Sequence, residues 1–528
     1  MKKLCFILLA LLPVISFLLL SCQEEAPVQV QVQVQDIIKI GDSTGDWGFP
    51  SPYGIYSRGP GYIRMSLIFD TLVWKNKDGE IIPMLAESWH YSEDKNSFTF
   101  NLRKDVLWHD GEPFTARDVE FTFEYIKKHP WVWMDSDPVE SVKAINDWTV
   151  SINLAEKYAP FLNNIAGTLP ILPRHIWKNI EEPLLYAGRD ALIGTGPFIL
   201  KDYSSREGSY LYEANKNYYA GDVNIEKIAF IKVSDKAMPA MIKSGNIDAG
   251  SIPPDVASDL KQSGFEIEQE PPTWAAKLIL NHNTNELLSN KTFRHALAYA
   301  INPDQIVEIS QRGFAVKGSA GLLPPANSKW YSENIPRYEY NPEKATEILE
   351  KMGWLQGSDG YLYRDGSILG LELAVSGSAF ERDGEVIEEN LEDIGIKIEL
   401  LNYEAKTLDS KIENWDFDMA INGHGGLGGD PEILNKVITS KGFNSVRYYE
   451  NEKLIELLNQ QIREMDTEKR MQIVYEMQKI YAEELPSITL YYPQWYWAHN
   501  ENADIFYTDG GVASGIPIPI NKIAFIDF

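Results

Sequence analysis

Thiols are nearly absent from this chain of 528 residues. It has two cysteines, Cys5 and Cys22. Cys5 lies inside an N-terminal apolar leader, so one thiol at most remains afterwards, which excludes a disulfide framework and a thiolate zinc cluster. Stability must then come from packing alone. Basic residues are scarce as well: 49 Lys and Arg stand against 76 Asp and Glu. Without the two leader lysines the balance is 47 against 76, a formal net charge of −29. Such a surface repels nucleic acid and anionic lipid head groups, and no basic run offers a local footprint for either. The eight histidines form no H-E-x-x-H. The phosphate-binding G-x-x-x-x-G-K-[ST] and a strand-linked G-x-G-x-x-G are also missing. Zinc proteases of that type, P-loop enzymes and dinucleotide enzymes have no motif here.

The N-terminus carries an address. Lys2 and Lys3 precede an apolar stretch over 4–20 that ends in Leu19-Leu20-Ser21-Cys22. The stretch is short, is broken by Pro13 and lacks a stop-transfer flank, so residues 1–21 read as a signal peptide rather than a membrane span. The Leu-Leu-Ser-Cys ending resembles the prokaryotic lipobox, in which the cysteine is acylated and becomes the first residue. An ordinary secretory signal with an incidental cysteine is the plainer alternative. Residues 22–35 are polar and repetitive and suit a flexible tether. One acyl chain would bind reversibly, so firm anchoring through Cys22 needs several chains.

Beyond the tether, 44% hydrophobic and 12% aromatic residues describe a globular chain, and about 490 residues imply more than one domain. Residues 36–41 read as a first strand. Phe98, Phe100 and Leu102 alternate with polar neighbours in another. Thr115 and Asp118 form a capping box ahead of a helix whose apolar face is Val119, Phe123 and Ile126. Asn341-Pro342 opens a second helix that runs through Ala345, Ile348, Leu349 and Met352 to Gly353. Helices over 451–463 and 467–484 follow, then Pro486 and a strand over 487–492. Strands and helices intermix, so the class is α/β or α+β.

Candidate chemistry is sparse. Gly41-Asp42-Ser43-Thr44-Gly45 matches the G-x-S-x-G hydrolase elbow, which would make Ser43 a nucleophile. That elbow needs a helix after it, and Asp46-Trp47-Gly48-Phe49-Pro50 will not form one. His109 beside Asp110 suits a turn hydrogen bond better than a catalytic dyad. The unusual segment is 423–431, Gly-His-Gly-Gly-Leu-Gly-Gly-Asp-Pro. Its five glycines free the backbone for positive φ and close approach, and its amides can form an anion-binding nest. A long loop without a ligand is the equally open alternative. His424 as a lone metal ligand has no partners in sequence.

The chain resembles a known family, the dipeptide- and oligopeptide-binding solute-binding proteins of ABC importers, family 5, whose members include nickel binders and lipoproteins. The densest match is 69–125, with Pro83-Met84-Leu85-Ala86-Glu87-Ser88-Trp89 and Trp108-His109-Asp110-Gly111-Glu112-Pro113-Phe114-Thr115-Ala116. Further matches are Gly194-Thr195-Gly196-Pro197-Phe198, Phe293-Arg294-His295-Ala296-Leu297 and Tyr340-Asn341-Pro342-Glu343-Lys344-Ala345. The resemblance implies an α/β, two-lobed periplasmic-binding-protein-like fold with an extra sub-domain in lobe one. Lobe one maps to 36–280 plus 490–528, with the insert at about 72–190; lobe two maps to 281–489. It implies no enzyme activity and no cofactor. It implies a receptor on the outer side of the cell membrane, periplasmic or extracellular, that captures a small-molecule or peptide ligand between its lobes and delivers it to ABC permease subunits. The membrane contact would be the lipid at Cys22.

In peptide-binding members an aspartate of the lobe-two loop anchors the ligand's α-ammonium. Aligned on Gly423 and Asp430-Pro431, that aspartate falls at Leu427 here, and the preceding aromatic at His424. Losing it costs a charge-assisted hydrogen bond. Leu427→Asp should then restore free-amine binding if the loop aligns this way. Oligosaccharides and nickel chelates remain alternative solutes. The ligand-binding candidates are Gly423, His424, Gly425, Leu427 and Asp430 in the loop, with Trp274, Asn281, Trp495 and Trp497 at the crossings between lobes. No metal site is assigned.

Overall fold

The structure is a computed structural model that describes residues 37–442 and 444–527. Expectations for residues 1–36, including Cys22, the signal peptide and the tether, lie outside the described residues.

Two sheets organise the molecule. The first has seven strands in the order Glu266–Gln269, Tyr496–His499, Ala249–Ile252, Ile38–Asp42, Lys227–Lys232, Ser209–Ala214 and Phe198–Ser204. Ile38–Asp42 lies between two parallel partners, 227–232 and 249–252, which explains why Ile38 and Ile40 are buried. The second has six strands in the order Ala315–Lys317, Ser487–Pro493, Ala275–Leu280, Met419–His424, Gly370–Ser376 and Lys397–Tyr403. Ala275–Leu280 is central there, and all six of its residues are buried, so the strand reads as an unbroken apolar run save for Lys277. Each sheet has its own apolar clusters, and the result is a two-lobed α/β fold.

A four-stranded antiparallel sheet, ordered Ala86–Ser92, Ser97–Leu102, Thr149–Leu154 and Val139–Asn146, forms the extra sub-domain beside the first lobe. Its inward Phe98 stacks on Phe161 with ring centroids 4.5 Å apart. The helix Ala116–Lys128 packs against this sheet. Its start is fixed by Asp118, whose carboxylate accepts from Thr115 N–H at 2.8 Å and from Arg174 N–H at 3.0 Å. The helix Pro342–Lys351 is capped by Asn341, which accepts from Lys344 N–H at 2.9 Å. The C-terminal stretch is pinned by a fully buried ion pair between Lys522 and Asp70 at 2.5 Å.

The passages between the two sheets fall at 270–274 and 494–495. The resemblance implies crossings near 278–281 and near 489–496; the first passage lies a few residues earlier, and the second falls within the implied range. Both strands placed astride those positions, 275–280 and 487–493, pair with each other inside the six-stranded sheet. Beyond the passages, 266–269 pairs with 496–499 in the seven-stranded sheet. The two passages therefore form one antiparallel ribbon running from lobe to lobe. Glu270 N–H donates to Trp495 O at 2.8 Å at its midpoint.

Candidate functional site

The ribbon carries two of the three tryptophans singled out from sequence. Trp274 and Trp495 meet with ring centroids 5.9 Å apart, and Trp495 is 41% exposed. Trp274 also stacks on Phe380, at 6.4 Å and 13°. Beneath it lies Gly423: a Cβ on that residue would fall 1.8 Å from the indole, so a glycine is needed for the ring to lie flat on the strand. Trp497 is half-buried in the seven-stranded sheet and lines a separate cavity of about 210 Å³.

The glycine-rich loop packs directly on the first lobe. A Cβ on Gly429 would come within 3.0 Å of the Gly515 Cα, and one on Gly428 within 2.7 Å of the Thr273 side chain. Gly426 takes φ +89°, which only glycine adopts cheaply. Gly425 lies beside Trp274. The glycines thus serve close approach of two backbones at the seam between the lobes.

Three of the candidates drawn from sequence are engaged within the protein itself. Leu427 does not face the cleft: it is fully buried with Leu322, Leu323, Trp330 and Leu434 in a second-lobe core. Asp430 lines the cavity between the lobes but is already paired. It is held by Arg470 at 2.8 and 2.5 Å, and Arg470 also binds Gln461. That buried fork closes the loop. Asn281 is spent on the backbone: its Nδ2 donates to Trp415 O at 3.1 Å and Phe417 O at 2.6 Å, stapling a strand end. His424 is buried, with Nδ1 3.1 Å from Gly425 O, while its Nε2 has no hydrogen-bond partner among the described residues. Burial and the neighbouring Lys277 hold its imidazole well below its ordinary value, so it is neutral. No cluster of three or more His, Cys, Asp or Glu suited to a metal occurs among the described residues. Ser43 follows the strand 38–42 in a bend with no helix, so the hydrolase elbow is not formed.

Between the lobes lies a cavity of about 460 Å³, lined by Lys75, Asp78, Glu80 and Asn163 on the side of lobe one and its insert, and by Asn327, Lys329 and Asp430 of lobe two. Lys75 is buried, donates to Gly511 O at 3.1 Å and makes no ion pair among the described residues. Burial pushes its ammonium down to about 8, against the pull of Asp430 and Asp509. A small gap along Pro271, Thr273, Gly428 and Asp509–Gly511 adjoins this cavity and shares Pro517 with the 210 Å³ cavity.

That third space sits at the carboxyl ends of the parallel strands 38–42 and 249–252, where open α/β sheets place ligands. Arg64 bonds Asp42 at 2.5 Å and lies 4.0 Å above the Phe230 ring; Trp47 Nε1 donates to Asp42 at 2.7 Å. Glu270, from the ribbon, completes the wall at 7% exposure. Burial raises its carboxyl to about 8, the Tyr507 hydroxyl opposing in part. Sequence reasoning missed Lys75, Arg64 and Glu270. Glu270-Pro271-Pro272 ahead of an apolar strand was the available signal, because consecutive prolines mark an irregular, extended connection.

Comparison with known proteins places these features. The profile of bacterial extracellular solute-binding proteins, family 5 Middle, matches residues 80–445. The nickel-binding periplasmic protein of Escherichia coli is 30% identical over 390 residues, covering 70% of this chain and 72% of that one. Among solved structures, NikZ of Campylobacter jejuni in complex with Ni(L-His) is similar at TM-score 0.74 and 25% identity, over 91% of this chain and 97% of that one. The oligopeptide-binding protein AppA of Bacillus subtilis, in complex with a nonapeptide, gives TM-score 0.69 and 25% identity over 89% and 96%.

Proposed function

We propose, from the premise that the chain belongs to the family 5 bacterial extracellular solute-binding proteins, that it is the lipid-anchored receptor of an ABC importer. It captures a peptide or similar small polar solute between its lobes and delivers it to the permease. The observation that carries this reading is the seam itself. Two lobes between which the chain crosses at 270–274 and 494–495 enclose a polar cavity lined by a buried amine, Lys75, and a separate cavity on the first lobe is walled by a buried acid, Glu270. A charged solute, as a peptide is, suits walls with buried ionisable groups better than a neutral sugar does. A ligand that touches both lobes favours the closed arrangement by its differential affinity.

The Ni(L-His) complex of the Campylobacter relative supports a metal chelate as the second reading. The Leu-Leu-Ser-Cys ending supports acylation at Cys22, which keeps the receptor near its transporter.

The test is thermal unfolding of residues 36–528 against short peptides, Ni(L-His) and maltooligosaccharides. A ligand at 100 times its Kd stabilises by about 2.7 kcal/mol, a readable rise in Tm. A rise with peptides supports the leading reading, and one with Ni(L-His) alone the second. No rise with any member contradicts the receptor role. For the anchor, Cys22→Ala should move the protein from the membrane to the soluble fraction; retention in the membrane would contradict it.

A further inference from the structure

We propose that Glu270 is the cation-recognising residue of this protein, so that the transported solute bears an ammonium or guanidinium group seated in the lobe-one cavity at the end of strands 38–42 and 249–252. This inference rests on the receptor reading above and narrows its solute.

Three observations converge on Glu270. The lobe-two loop offers no unpaired carboxylate: Leu427 lies in the core, and Asp430, which lines the 460 Å³ cavity, is already bound to Arg470. Within the 210 Å³ cavity the charges of Asp42 and Arg64 cancel at 2.5 Å, and Asp42 has its remaining acceptor capacity filled by Trp47 and by the N–H groups of Thr44 and Gly45, each at 2.9 Å. Glu270 alone is left over. It is buried, faces the cavity, and makes no ion pair among the described residues. A buried carboxylate without a cation is costly, and proteins resolve this by pairing or by protonation. The walls add Trp47 and Trp497, aromatic side chains that favour a cation next to an acid, while the Phe230 ring is already covered by Arg64.

The groups facing Glu270 are Tyr507, itself influenced by Glu268, and the Asp42–Arg64 pair across the cavity. None is a free base. With the cavity empty, the carboxyl holds its proton at neutral pH, because burial raises it to about 8. An arriving cation stabilises the carboxylate, so that proton leaves for solvent as the ion pair forms. Capture and proton release are then one event.

The probes are trialanine and N-acetyltrialanine, with maltotriose and Ni(L-His) as controls, titrated calorimetrically into residues 36–528 at pH 6.5. Running buffers of different ionisation enthalpy counts protons. Wild type should bind trialanine at least 100-fold more tightly than its acetylated form and release close to one proton. Glu270→Gln, which keeps the shape, should lower trialanine affinity at least 30-fold and abolish the release; Glu270→Asp should restore part of both. Equal trialanine binding by Glu270→Gln, or no proton released by wild type, would overturn the assignment and leave the receptor role standing. Binding of maltotriose alone would overturn it likewise. Silence from all four probes would instead overturn the receptor reading, and this inference with it. The wild-type proton count decides the matter even if Glu270→Gln fails to fold.

Discussion

Single residues in this protein gain their roles from partners far away in sequence. Glu270 has a carboxyl raised from 4.5 to about 8 by burial. Between those values the unfolded chain has given up the proton that the folded one keeps, so this residue makes stability fall as pH rises from about 4.5 to 8. Ligand-free Glu270→Gln should therefore exceed wild type in unfolding free energy at pH 8, by an amount on the order of a few kcal/mol that also raises its Tm, and match it near pH 4.5. Asp383, raised by burial to about 6 against the pull of the Tyr491 hydrogen bond, acts in part of the same window in both proteins, so the difference between them isolates Glu270. Equal Tm values at pH 8 would count against a buried, unpaired acid. Leu427→Asp tests the opposite end of the argument. The side chain is enclosed by apolar neighbours, so the new carboxyl should cost at least about 3 kcal/mol in a urea titration and create no amine site. A stable variant with new peptide affinity would return the anchor to the loop.

At the scale of elements, the ribbon and the loop it touches form one unit. Trp274 lies flat on Gly423, and Gly428 and Gly429 press on 273 and 515. Gly423→Ala should expel the indole, cost about 1–3 kcal/mol, and shift tryptophan fluorescence while weakening solute binding. Unchanged emission and affinity would show that the ring has no part in the site. How far such elements can be read in a sequence depends on how local their causes are. The caps at Thr115–Asp118 and Asn341–Lys344 span three residues, and the helices they open, 116–128 and 342–351, stand where the pattern puts them. The seven residues at 487–493 announce a buried strand by composition, yet composition cannot say which sheet receives it. The first passage between lobes was accordingly placed a few residues inside the strand 275–280. Asn281 and Asp430 look like ligand groups in isolation; their partners, Phe417 and Arg470, are 136 and 40 residues away. Glu270 was invisible for the same reason, since its cavity is built by residues from 40 to 520.

At the scale of the molecule, each lobe carries its own core, and the lobes meet through the ribbon, the loop and rim contacts. Arg312 reaches Asp255 at 3.1 Å, Arg463 reaches Glu156 at 2.8 Å, and Ala159 N–H donates to Ile462 O at 2.7 Å. The two ion pairs are exposed and each contributes little, which suits lobes that must part and rejoin. Two buried histidines set an acid limit on lobe two. Burial and Arg294 lower His282 from 6.5 to about 4, and His424 lies well below 6.5. The unfolded chain takes up these protons first, so stability should fall as pH drops from 6.5 towards 4. His282→Gln should soften that fall, and an unaltered Tm profile would contradict the assignment. The central claim, a receptor that holds a charged small solute between its lobes, is tested most directly by native mass spectrometry of the protein taken from its own cells. The expected result is a discrete added mass, corresponding to a small amine-bearing solute, that disappears when the protein is unfolded. The bare polypeptide mass alone would contradict it.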